Sequence, residues 1–189
     1  QKINAHYFDD LINTMANKPQ LFIDKVTKES YWKKGNKTMH FDAIVGNPPY
    51  QLMDGGTKTS ASPIYNRFVE QGKKLNPTYL SMITPARWYI GGKGLDTFRN
   101  DMLHDLHIQY IFDYPNVNDI FPTVDIAGGV CYFLWNRNYS GDCRVANCDG
   151  NMRNSLDRLL GEYDIFIRFN KAVSIIKKIM SIHNGKYMD

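Results

Sequence analysis

At 189 residues the chain is long enough for one domain with a real core, and its composition is that of ordinary globular material. A formal net charge of +4 and a pI near 8.9 suit a polyanionic partner without establishing one. Three cysteines, Cys131, Cys143 and Cys148, are too few and too odd in number for a disulfide framework, and no signal peptide or apolar run of about eighteen residues is present. A reducing cytosol is therefore the expected compartment, with no membrane partner.

In chain order, Ile3, Tyr7, Leu11 and Met15 recur at i, i+4 and predict a helix over about 3–15, ended by Asn17-Lys18-Pro19. Leu21-Phe22-Ile23, closed by Asp24, reads as a short strand, and a long basic connection runs from Thr27 to His40.

Phe41-Asp42-Ala43-Ile44-Val45-Gly46-Asn47-Pro48-Pro49-Tyr50 is the stretch that organises the chain. Ala43, Ile44 and Val45 have the character of a strand covered on both faces, as in a parallel sheet. Gly46 permits close approach, and the two prolines stiffen the turn beyond it into a rigid hook. At the carboxyl end of a strand, such a hook lies where open α/β sheets bind ligands. The Asn47 side-chain oxygen and the Pro48 carbonyl can both accept hydrogen bonds from one planar amino group, and Tyr50 supplies a face for a ring. An exocyclic amine is a poor nucleophile because its lone pair is delocalised. Two acceptors on its two hydrogens favour a pyramidal nitrogen able to attack an electrophilic methyl group, by positioning and electrostatics.

After the hook, residues 51–61 read as a mobile loop, and Ser62-Pro63 as the start of a helix with Ile64, Tyr65, Phe68 and Val69 on one face. Tyr79 to Pro85 is the next strand. Gly91-Gly92-Lys93-Gly94 lacks the spacing of either phosphate-binding glycine motif and reads as a flexible loop before a helix from Leu95 to about His104. Ile108 to Asp113 is a strand, Ile120-Phe121-Pro122-Thr123 a turn, and Gly128 to Trp135 a strand again. Phe169 to Met180 is an amphipathic helix. A boundary is expected near residue 140, because Val145 to Asn151 is polar. Neither Cys143-x4-Cys148 nor the His104, His107 pair has the further ligands a metal would need, so no metal is expected.

Asn47-Pro48-Pro49-Tyr50 after Phe41-Asp42-Ala43-Ile44-Val45-Gly46 resembles the catalytic motif of the amino-group S-adenosylmethionine-dependent methyltransferases. The surroundings look most like the adenine-N6 DNA methyltransferases of restriction-modification systems, in particular the Eco57I-like methylase domain. The resemblance implies an α/β, Rossmann-like methyltransferase sheet of which this chain holds the C-terminal part, ending in an antiparallel hairpin. It implies residues 1–140 as a partial catalytic domain and 141–189 as a linker and the start of a target-recognition or C-terminal helical region. It also implies S-adenosyl-L-methionine as donor, double-stranded DNA as partner, and an endonuclease or specificity domain fused or associated.

The catalytic set implied is Asn47, Pro48, Pro49 and Tyr50. Tyr50 and Phe133 would hold a flipped base from two sides, with Trp135 as the alternative to Phe133; plain core packing is an equal reading of Phe133. Asp24 and Asn47 would touch the cofactor, Asp24 at its adenine amino group, where a solvated strand end is the competing reading. The family's glycine-rich turn and the acid that binds the cofactor ribose are not found between Gln1 and Phe41, which implies a fragment inactive alone. A protein glutamine amide or an RNA base amine poses the same two-hydrogen problem, and a non-catalytic nucleic-acid-binding module could keep the hook. Two stacking faces favour a flipped nucleobase.

Overall fold

The computed structural model describes residues 5–32, 38–52 and 62–182. The chain divides into two units, Gln1–Met82 and Ile83–Asp189.

In the first unit, α1 (Leu11–Asn17), α2 (Pro19–Val26) and α3 (Tyr65–Lys74) pack on one another. The helix expected over about 3–15 is thus confined to its second half. Asp10, at φ 53°, interrupts the frame and takes the Asn13 amide on its carboxylate at 2.7 Å. The strand expected at Leu21–Ile23 is instead the middle of α2. Pro19 occupies a first-turn position, where its fixed φ suits a helix and its missing N–H is not needed. Three apolar residues carry no period of their own, and the preceding proline decides between the alternatives.

β1 (Ala43–Gly46) runs parallel to β2 (Tyr79–Pro85), pairing Ala43 with Tyr79 through Gly46 with Met82. Parallel pairing requires a crossover, which α3 supplies. Contrary to expectation, β1 is not covered on both faces: Val45 is 81% exposed, while Ile44 and Gly46 are half-buried. Ser62-Pro63 does not open the helix. These residues are extended against the hook instead, and α3 begins at Tyr65.

The second unit carries the strand order β4-β3-β5-β6. β3 (Ile108–Tyr114) lies antiparallel to β4 (Val130–Asn136) and parallel to β5 (Cys143–Asp149), and β6 (Met152–Arg158) closes a hairpin with β5. The antiparallel β3/β4 pair is the one expected. The sheet then continues past residue 140 into β5 and β6. Cys143, Val145 and Asn147 alternate with Arg144, Ala146 and Cys148 between the two faces, a period-2 pattern that the polar residues disguise. α4 (Asp96–Leu103) buries Phe98, Met102 and Leu103, and α5 (Asn170–Ile182) buries Val173 and packs against β5 and β6. Gly129 is fixed by contact as well as by its φ of 75°: a Cβ there would stand 2.1 Å from the Tyr114 carbonyl oxygen. No helix among the described residues is long and apolar enough to cross a membrane.

Candidate active site

The hook follows β1 without a break. Asn47 is exposed, Pro48 is buried, and Pro49 and Tyr50 are half-buried. Its far side is pinned by backbone pairing: Ile64 N–H donates to the Tyr50 carbonyl at 3.2 Å, Leu52 N–H donates to the Ser62 carbonyl at 2.9 Å, and Gln51 bridges Pro63. Its near side is tied down where Tyr79 N–H donates to the Asp42 carbonyl at 2.9 Å. The turn is therefore held at both ends, with the carboxamide of Asn47 presented to solvent. An acceptor on a preset backbone needs little reorganisation when a substrate amine arrives.

Asp24 sits on α2, exposed, accepting from Gln20 Nε2 at 2.9 Å. It borders an open basin of about 640 Å³ whose wall includes Phe8, Lys25 and Tyr31, with the Lys25 ammonium 4.3 Å from the Phe8 ring centre. Asp24 thus lies on a helix, which removes the competing reading of a solvated strand end, and it lines a cavity.

Phe133 is 1% exposed, opposite Ile111 in the β3/β4 ladder, on the face that also carries Cys131 and Trp135. Trp135 donates its indole N–H to Asp105 at 3.0 Å and meets the His107 ring edge-on, so its polar atom already has a structural task. His107 Nδ1 in turn lies 2.6 Å from the Tyr139 carbonyl oxygen, and His104 Nδ1 lies 2.9 Å from that of Asn100.

Sequence reasoning missed a buried polar cluster in the second unit. Asp113, 0% exposed, takes Arg168 in a two-pronged pair, Nε at 2.9 Å and Nη2 at 2.8 Å. Asn147 Nδ2 donates to the same carboxylate at 3.3 Å and to the Arg168 carbonyl at 2.9 Å. Burial works to lower the Arg168 pKa, but the hydrogen bonds and charge of Asp113 outweigh it and leave the guanidinium more firmly protonated than usual. Arg168 also lies over Tyr89, whose ring meets that of Phe166 at a tilt, with ring centres 4.3 Å apart. The residues at the end of β2 and just after it are tied to β4 and the turn before it: Ala86 N–H donates to the Gly129 carbonyl, and Thr84 meets the Cys131 thiol at 3.5 Å. Burial raises the Cys131 pKa, and that of Cys143 to about 12, so these thiols stay protonated and behave as small apolar groups.

A parallel strand pair delivering an Asn-Pro-Pro-Tyr turn, with an antiparallel pair at the end of the expected core, defines a Rossmann-like methyltransferase sheet. The chain belongs to the Eco57I restriction-modification methylase family, whose model matches residues 1–121. It is 39% identical over 141 residues to an uncharacterized adenine-specific methylase of Mycoplasma pneumoniae, an alignment covering 73% of this chain and 33% of that protein. Among solved structures it is similar to the methyltransferase subunit of a type I restriction-modification system from Streptococcus thermophilus, at 13% identity and a TM-score of 0.43, over 79% of this chain and 33% of that one. It is also similar to the type IIG restriction endonuclease BpuSI, at 17% identity and a TM-score of 0.42, over 71% and 16% of the two chains. The chain spans about a third of the length of the curated relative it matches.

Proposed function

We propose that this chain forms the target-base part of a site-specific DNA methyltransferase of restriction-modification type, which methylates the N6 amine of an adenine extruded from the duplex. The observation that carries the reading is the exposed Asn47 carboxamide on a turn whose two flanks are fixed. In this mechanism the Asn47 side-chain oxygen and the Pro48 carbonyl accept the two amino hydrogens. The half-buried Tyr50 stacks on the ring; Phe133, the residue the resemblance offers for the opposite face, is buried at 1% exposure. Drawing both hydrogens toward acceptors localises the nitrogen lone pair, so no general base is needed before transfer.

The donor would be S-adenosyl-L-methionine, which when bound supplies an electrophilic methyl carbon. Asn47 fits a place beside the reacting centre. Asp24 fits the adenine end of the donor less well, since its support is confined to its place on the wall of the basin beside Tyr31. Double-stranded DNA as partner, an associated endonuclease or specificity domain and a cytoplasmic site belong to the same reading.

Methyl-labelled donor offered with duplex DNA, RNA and protein in parallel, followed by mass spectrometry of the products, tests it. N6-methyladenine in the duplex is the expected product of the protein that carries this sequence. Label in a glutamine amide or in RNA would overturn the assignment.

A further inference from the structure

Gly91, Gly92, Lys93 and Gly94 all have positive φ, at 80°, 75°, 49° and 79°. Glycine adopts this region freely and lysine does not, so the run is a specified shape. It is held from behind by α4. Arg99 Nη1 donates to the Ile90 carbonyl at 2.5 Å, and Gly92 N–H donates to Asp96 Oδ1 at 3.1 Å. A Cβ at Gly91 would meet both the Arg99 guanidinium and the Asp96 carboxylate at 2.5 Å and would strain a φ of 80°, so a larger residue there must displace both partners. Asp96 also places a negative charge in the first turn of α4, where a bound phosphate would have to sit. The loop is therefore a display rather than a phosphate cradle.

The displayed side chain is Ile90, 78% exposed, three residues from Arg87 on one side and from Lys93 on the other, both exposed. An aliphatic side chain held out at the end of a 3-10 turn, between two cations in the sequence and next to the specified glycine run, has no role in the packing of this unit. Duplex DNA matches it in kind: two phosphates for the cations, and an apolar base edge or a partly opened base step for the isoleucine. Inserted aliphatic side chains are a recurrent means of unstacking a step.

We propose that the Arg87–Gly94 segment, which passes from the 3-10 turn Ala86–Tyr89 through its C-cap Ile90 into the glycine run, is a DNA contact, with Arg87 and Lys93 on phosphates and Ile90 as a wedge that favours base extrusion. The proposal rests on the methyltransferase reading and extends it to residues outside the hook.

The test is titration of the chain with a 20-base-pair duplex holding a central A·A mismatch beside 2-aminopurine, over a series of salt concentrations. A mismatched base is the cheapest to extrude, so the probe does not require the recognition sequence. The Arg87→Ala, Lys93→Ala double variant is expected to lower the slope of log K against log salt by about 1.8, roughly 0.9 for each phosphate that is no longer neutralised. Ile90→Ala is expected to keep the slope and lose most of the rise in 2-aminopurine fluorescence. Since all three side chains are exposed, the melting transition should not move, and circular dichroism checks it.

An unchanged slope in the double variant overturns the phosphate contacts, and unchanged fluorescence in Ile90→Ala overturns the wedge. Absence of any duplex binding, or a self-association that Ile90→Ala abolishes, overturns the proposal as a whole. The outcomes are separable from failure of the methyltransferase reading, which the product assay decides without reference to this loop.

Discussion

Asn47 and Pro48 differ in burial within the hook: the proline is buried, and the asparagine is exposed, as the proposed role of its carboxamide requires. Tyr50 is half-buried, and under the proposed function its ring is the stacking face for the base. Phe133 is enclosed, and Phe133→Ala is therefore expected to destabilise the second unit by about 3–5 kcal/mol, the usual cost of emptying a large aromatic site. A denaturant melt measures it. A normal melt combined with altered 2-aminopurine fluorescence would instead give Phe133 a stacking role without a packing one. The buried cysteines make a prediction about pH. The Cys143 thiol has an ordinary pKa of 9.0 and a folded value of about 12, so the native state holds its proton more tightly than the unfolded chain. The stability this contributes is complete below pH 9 and is lost as pH rises from 9 to 12. Equilibrium unfolding over that range should show the decline, less steep in Cys143→Ala; an equal slope in both proteins would refute the assignment.

At the scale of elements, the long apolar runs at Tyr79–Pro85, Ile108–Tyr114 and Val130–Asn136 are legible in the sequence because their lengths and flanking turns leave few alternatives. The hook is legible because two prolines and a glycine specify a turn locally. Leu21–Ile23 misleads because three apolar residues suit either a strand or a helix. β5 is hidden because Arg144 and Asn147 interrupt its hydrophobicity while the alternation of faces persists. Pairings such as Asp113 with Arg168, 55 positions apart, or Trp135 with Asp105, 30 apart, leave no local signal at all. They nevertheless fix the elements: Arg168 ties the segment before α5 to the middle of the sheet. Arg168→Ala would strand the Asp113 carboxylate in the interior, and a loss of about 3–5 kcal/mol is expected by equilibrium unfolding. A change below about 1 kcal/mol would mean that water or Asn147 replaces the guanidinium.

For the whole molecule, the family match covers the hook, β2, α4 and β3 and stops at residue 121, while the sheet itself runs on through β4, β5 and β6. The far hairpin is thus part of the same sheet as the expected pair, whatever role the residues after it have. The proposed function rests on one chemical claim, that the Asn47 carboxamide activates an extruded amine. The rate of methyl transfer to duplex DNA by protein carrying Asn47→Ala, measured beside its duplex affinity and its melting temperature, tests that claim most directly. A fall of about 10²–10³ in rate is expected, with affinity and melting unchanged, as for loss of one preorganised polar group at the reacting centre. Near-normal turnover in Asn47→Ala would contradict it.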